Sequence, residues 1–173
     1  MSKYGGIIES FIDMFDLSLP VIPWQDPYKW AMKRRRKFKS KTYLQGISRL
    51  ENRGLIEVVE RRGKKFLKLT KKGQLHILLA KARISKKIPW DGKWRIVLYD
   101  IPEQNKLKRN QFRWLLRSNN FVKLQASVFV SPYPLNAEAV SYLKLSGLIE
   151  FIRIMRVDQM DNDKELKKMF NLK

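Results

Sequence analysis

The sequence predicts an α+β protein built from two modules. Three observations carry this. Apolar residues recur at helical spacing through a strongly basic first half. Two short alternating runs then meet at the turn Arg61-Arg62-Gly63-Lys64. After Pro89, runs rich in β-branched and aromatic residues alternate with helix-length segments.

Taken in order, Ile7, Ile8, Phe11, Ile12 and Phe15 place one apolar face on a helix from Tyr4 to Phe15. Pro20, Pro23 and Pro27 break the chain. A short helix is expected over Tyr28 to Arg35, with Trp30 as its core anchor. Ser40 is the expected N-cap of the next helix. There Tyr43, Leu44, Ile47 and Leu50 fall on one side, and Lys41, Thr42, Gln45, Arg49 and Asn52 on the other. Gly54 fits the stop, as a left-handed residue. Gly46, inside the helix, costs about 1 kcal/mol against alanine and fits a close approach to a neighbouring helix or to a ligand backbone. Ile56 and Val58, then Leu67 and Leu69, alternate on two strands around Gly63. Thr70 opens a helix to about Arg83 carrying Leu75, Leu78 and Leu79. His76 lies in it and reads as a packing residue rather than a ligand.

Three helices followed by a basic hairpin make a winged helix-turn-helix. The run Ser-Arg-Leu-Glu-Asn-Arg-Gly-Leu-Ile-Glu-Val, residues 48–58, resembles the end of many recognition helices entering their wing. A helix of this width fits the major groove, where its polar face meets base edges. Phosphates or a minor groove suit the hairpin cations Arg61, Arg62, Lys64 and Lys65. Arg34, Arg35 and Arg36 add to the same footprint.

Composition agrees. The 173 residues suffice for one ordinary domain or two small ones, and 44% hydrophobic content supports real cores. A net charge of +21 repels itself unless a polyanion is the partner. Residues 33–72 hold sixteen Lys or Arg against Glu51, Glu57 and Glu60, a net of +13 and most of the total. Nucleic acid is the first candidate partner and an anionic membrane the second. The membrane reading needs a long apolar run or a lipid signal, and the sequence displays neither. No secretory signal is read, and there is no cysteine, which fits a cytoplasmic protein. With His76 the sole histidine, histidine-based zinc chemistry is out of reach.

In the second module, residues 84–91 read as a linker. Lys93 to Ile101 is a strand, Lys106 to Asn119 a helix with Phe112, Leu115 and Leu116 in the core, and Phe121 to Val130 a returning strand carrying Gln125, Ser127 and Phe129. The run from Phe121 to Pro134 is hard to place as one strand and could bend into two. Asn136 to Ser146 is a helix with Ala139, Val140 and Leu143 inward. Leu148 to Val157 is a strand, and a short helix covers about Asp163 to Phe170. That order fits a ferredoxin-like α/β sandwich. The expected domains are residues 1–85, 90–160 and a C-terminal helix within 161–173.

Two blocks then carry a family resemblance: Trp-Asp-Gly-Lys-Trp-Arg-Ile-Val-Leu-Tyr-Asp-Ile-Pro-Glu, residues 90–103, and Leu-Gln-Ala-Ser-Val-Phe-Val-Ser-Pro, residues 124–132. They resemble the central domain of the phenylacetic-acid repressor (PaaX) family, itself similar to the CRISPR-associated Cas-two nuclease. The module order also matches that family, over about residues 30–170. The resemblance implies a homodimer through the ferredoxin-like domain, presenting two winged helices to a two-fold site on double-stranded DNA. The longer repressors carry a further C-terminal region and respond to an acyl-coenzyme A effector. This sequence ends soon after its last strand, so that ligand is not carried over.

Asp100 matches the acid that Cas-two proteins place at the end of their first strand, where it is associated with a divalent metal. Mg²⁺ takes carboxylate oxygens and can activate water against a phosphodiester. One carboxylate per chain is a thin site; Glu103 is the nearest further acid, and Val130 stands where many Cas-two sequences have an acid. The competing reading makes Asp100 a cap of the following turn. The sequence therefore favours a DNA-binding transcriptional regulator, a repressor acting by occupancy, with no cofactor expected. A Mg²⁺-dependent endonuclease or spacer-acquisition component with Asp100 as catalytic and metal residue is the alternative, and a sequence-indifferent architectural binder the third reading.

Overall fold

A computed structural model describes residues 21–23, 40–82 and 89–172, with backbone alone for 21–23 and 40–43. The predicted helices at 4–15 and 28–35, Trp30, Arg34, Arg35, Arg36 and most of the 84–91 linker lie outside the described residues. The chain divides into two compact units, Met1–Ile77 and Leu78–Lys173.

In the first unit, β1 (Val21–Pro23) and α1 (Ser40–Asn52) precede β2 (Ile56–Arg61), β3 (Lys64–Leu69) and α2 (Lys71–Lys81), the last running past the division. The sheet order is β1-β3-β2, all antiparallel. Strand β1 was not expected from its two flanking prolines. A proline is tolerated on an edge strand, and β1 is one. Ile47, Leu50, Leu55, Ile56, Leu67, Leu69 and Ile77 form the core, with Val58 packed against it. Leu44 departs from expectation: it is 44% exposed, whereas Gly46 is buried. In α2 the buried residues are Gly73, Ile77 and Leu78, while Leu75 and Leu79 are half-buried, as is His76. Apolar content alone does not fix the helix azimuth when leucine and isoleucine occur on both flanks of the stripe.

The second unit contains β4 (Trp94–Tyr99), α3 (Lys106–Ser118), β5 (Val122–Gln125), β6 (Val128–Ser131), α4 (Ala137–Leu145), β7 (Ile152–Val157) and α5 (Lys164–Met169). Its antiparallel sheet has the order β5-β6-β4-β7, the ferredoxin-like arrangement. Phe112, Leu115 and Leu116 are fully buried, as predicted for α3. The bend of the run after Phe121 into two strands is met, and one expectation, the start of the last strand, needs correction. The run from Phe121 is two strands turning at Ala126 and Ser127, so Gln125 and Phe129 belong to different strands. The segment Leu148–Phe151 is a 3₁₀ turn entered through left-handed Gly147 (φ 74°), and the last strand starts only at Ile152. In α4, Tyr142 joins Ala139 and Leu143 in the core, and Val140 is half-buried.

Aromatic packing closes the end of this sheet. Trp94, 1% exposed, lies between Trp90 and Phe170, with ring centroids at 5.5 and 6.1 Å. Its indole N–H donates to Asp163 at 3.1 Å, and Lys167 pairs with the same carboxylate at 3.1 Å. Through Asp163 and Phe170, at the two ends of α5, these contacts hold that helix onto the sheet by one polar and one aromatic anchor.

Candidate nucleic-acid interface

The proposed recognition face rests on how α1 ends. Gly54 takes φ 66°; its N–H donates to Glu51 O at 2.7 Å, and Leu55 N–H donates to Leu50 O at 2.9 Å. This is a Schellman stop, with Leu50 and Leu55 meeting in the core. Thr70 then joins that stop to α2. Its hydroxyl donates to Gly54 O at 2.7 Å and accepts from Gly73 N–H at 3.0 Å. Lys72 Nζ donates to Arg53 O at 2.7 Å, placing a cation at the carbonyl end of α1. Gly73 is needed there: a Cβ would sit 2.0 Å from Leu55 O.

Held this way, α1 exposes Leu44, Gln45, Ser48, Arg49 and Asn52, which line an open depression of about 480 Å³. Gln45, Arg49 and Asn52 are therefore brought together on one solvent-facing stripe. Lys41 and Thr42 lie in the first turn of the same helix, and their side chains are outside the description. Ser48 is also part of the stripe, a position not named among the polar-face residues from sequence. Ser40 begins the helix rather than standing before it. Because Gly46 is buried, it turns into the fold and not toward a ligand on this face.

The hairpin tip is a two-residue turn. Arg62 (φ 52°) and Gly63 (φ 69°) both take positive φ, the type I′ geometry, and Arg61 faces Lys64 across it. Arg61, Arg62, Lys64 and Lys65 are all exposed. Two local features work against stability: an arginine in a left-handed conformation and two like charges directly opposed. Acids stand lower on the hairpin, with Glu60 opposite Lys65 and Glu57 paired with Lys68 at 2.6 Å. The cations are thus concentrated at the tip.

Asp100 belongs to the second unit. It is exposed, and its N–H donates to Phe151 O at 2.9 Å. Its carboxylate has no hydrogen bond or ion pair among the described residues. The 3₁₀ turn that follows, Glu103–Asn105, has Pro102 at its cap position and no side-chain cap, so the capping reading of Asp100 does not hold. Glu103 is engaged by Arg109 at 3.1 Å. Among the described residues no group of three or more His, Asp or Glu could hold a metal.

Residues 87–169 match the family model for the PaaX protein central Cas2-like domain. Over those residues the chain is similar to that domain. The match spans just under half of the sequence and covers every element from β4 to α5. No curated protein matches the chain. No helix among the described residues is long and apolar enough to cross a membrane.

Proposed function

We propose that this chain is a sequence-specific DNA-binding transcriptional regulator of the PaaX type, a repressor acting by occupancy as a homodimer. The observation that carries the reading is the exposed stripe Gln45, Ser48, Arg49 and Asn52 on a helix that stops at Gly54 and leads directly into a hairpin tipped by four cations. The chemistry suits a duplex: Arg, Gln and Asn are the side chains that read guanine and adenine edges in pairs of hydrogen bonds. A polyanion relieves the charge opposition at the hairpin tip. On this reading α1 enters the major groove, and Arg61, Arg62, Lys64 and Lys65 grip phosphates beside it, with Lys41, Thr42 and the arginines 34–36 supporting the same footprint.

Self-association is supported by the edge strand β7. Ile154 and Met155 are 45% and 43% exposed there, and Phe151 precedes them at 36%. An unpaired edge carrying exposed apolar side chains is a surface a second copy can cover. Mixed-size DNA fragments test the whole reading. Binding should survive competition from unrelated duplex and protect a two-fold-related site. Loss of all preference under competitor would contradict it and favour a sequence-indifferent binder.

The exposed, unpaired Asp100 carboxylate keeps cleavage as the second reading. The test is incubation of labelled duplex with Mg²⁺. Our reading expects intact DNA; Mg²⁺-dependent cleavage abolished by Asp100→Ala would establish the nuclease instead.

A further inference from the structure

The second unit, residues 78–173, carries nineteen Lys or Arg against nine acids, a net of +10, and the recognition helix and wing use none of it. The charge is not spread evenly. Helix α3, Lys106–Ser118, contains Lys106, Lys108, Arg109, Arg113 and Arg117 and no acid. Two of these have structural work. Arg109 pairs with Glu103, and Arg113 donates to the Tyr99 hydroxyl at 2.7 Å while lying over its ring. Lys106, Lys108 and Arg117 are exposed, with no acidic partner among the described residues.

The apolar side chains of this helix are divided in the same way. Phe112, Leu115 and Leu116 face the core, yet Leu107 is 81% exposed and Trp114 38% exposed. Residues 107 and 114 are two turns apart, so both lie on the solvent side, with Lys106, Asn110 and Arg117 along the same surface. The first turn places cations where the helix dipole is itself positive, and Asn105 gives no side-chain cap. Helix stability does not account for that placement of cations. A ridge of cations spaced along a helix, with an indole among them, is complementary to a sugar-phosphate backbone: the cations meet phosphates and the apolar groups lie against sugars.

We infer that the outer face of α3, through Lys106, Trp114 and Arg117, is a second, sequence-independent contact for the backbone of duplex DNA. This rests on the reading of the chain as a DNA binder but not on α1 as the element that reads sequence. An acidic protein partner would also suit the cations, and the test separates the two, because only a DNA contact changes the salt dependence of DNA binding.

The experiment measures affinity of the full chain for a duplex extending a helical turn beyond the selected site on each side, across a salt series. Each phosphate contact contributes about 0.9 to the slope of log affinity against log salt. The double variant Lys106→Gln/Arg117→Gln removes two contacts per chain and four per homodimer, so it should lower that slope by about 3.6 while leaving sequence preference unchanged, and Trp114→Ala should weaken binding several-fold. Lys144→Gln/Lys164→Gln, two exposed cations of the same unit, should leave the slope as it is. Thermal melting of each variant verifies folding. An unchanged slope in the α3 variant overturns the inference, and so does an equal fall in the Lys144/Lys164 control, since the charge would then act diffusely. Failure of the α1 reading looks different: Arg49→Ala would leave sequence preference intact while the α3 variant still lowered the slope.

Discussion

Arg49 sits midway along the exposed stripe of α1, flanked by Gln45 one turn before it and Asn52 one turn after. If it reads a base, Arg49→Ala should cost about 1–3 kcal/mol of binding to the selected site and relax preference at one position. Competition with single-base variants of that site measures it. Asp100 makes a contrasting case. Its carboxylate has no hydrogen bond or ion pair among the described residues, so Asp100→Ala should leave unfolding free energy within about 0.5 kcal/mol of the parent and leave site binding unchanged. Asp163 has structural work. The hydrogen bond from the Trp94 indole, helped by Lys167, holds its carboxyl below the usual range. A depressed carboxylate stabilises the fold above its unfolded value near about 3.9 and loses that contribution as pH falls through the folded value. Urea unfolding of Asp163→Asn should therefore show a deficit at pH 7 that shrinks by pH 3. An equal deficit at both pH values would locate the effect in packing rather than charge. At this scale the sequence showed the polar stripe but not its edges. Leu44 and Ser48 were misassigned or missed because azimuth depends on which neighbours cover a helix, and a single chain of letters does not supply those neighbours.

Elements were more legible where local chemistry decides them. Gly54 was readable as a helix stop because few residues tolerate φ near +60°. The Arg62-Gly63 turn was readable because its glycine sits between two alternating runs. At this turn function and stability pull apart: Arg62→Asn should stabilise the fold by about 1 kcal/mol, asparagine being favoured in a type I′ turn, while lowering the salt slope of DNA binding. Thermal melting and a salt titration on one sample measure both. The close crossing at Gly73 was not readable, because it depends on where Leu55 O lies in three dimensions. Gly73→Ala should destabilise the protein by about 3 kcal/mol, in the range of overpacked cores; chemical denaturation measures it. Strand ends in the second unit were blurred for a related reason. Apolar runs such as Phe121–Val130 and Leu148–Val157 do not show where a tight turn or a 3₁₀ segment interrupts them. The breaks fall at Ala126-Ser127 and after Gly147.

On the scale of the whole molecule, the order of elements and the family resemblance in the second unit were carried by two sequence blocks, 90–103 and 124–132, and the match at residues 87–169 contains both. What a sequence cannot display is which apolar residues a fold leaves uncovered. Phe151, Ile154 and Met155 belong to one apolar run, and all three are exposed where β7 takes its place at the sheet edge. If that edge joins two copies, Ile154→Asp/Met155→Asp should yield a monomer by light scattering and reduce affinity for a two-fold site far more than for an isolated half-site. A variant that remains dimeric would place self-association elsewhere. The central claim is that the chain recognises a defined duplex sequence without cutting it. Selection of binding sites from random duplex DNA, at near-physiological salt with Mg²⁺ present and the recovered strands sized, tests it most directly. The account predicts full-length DNA enriched in a two-fold-related motif; shortened strands, or retention with no motif, would contradict it.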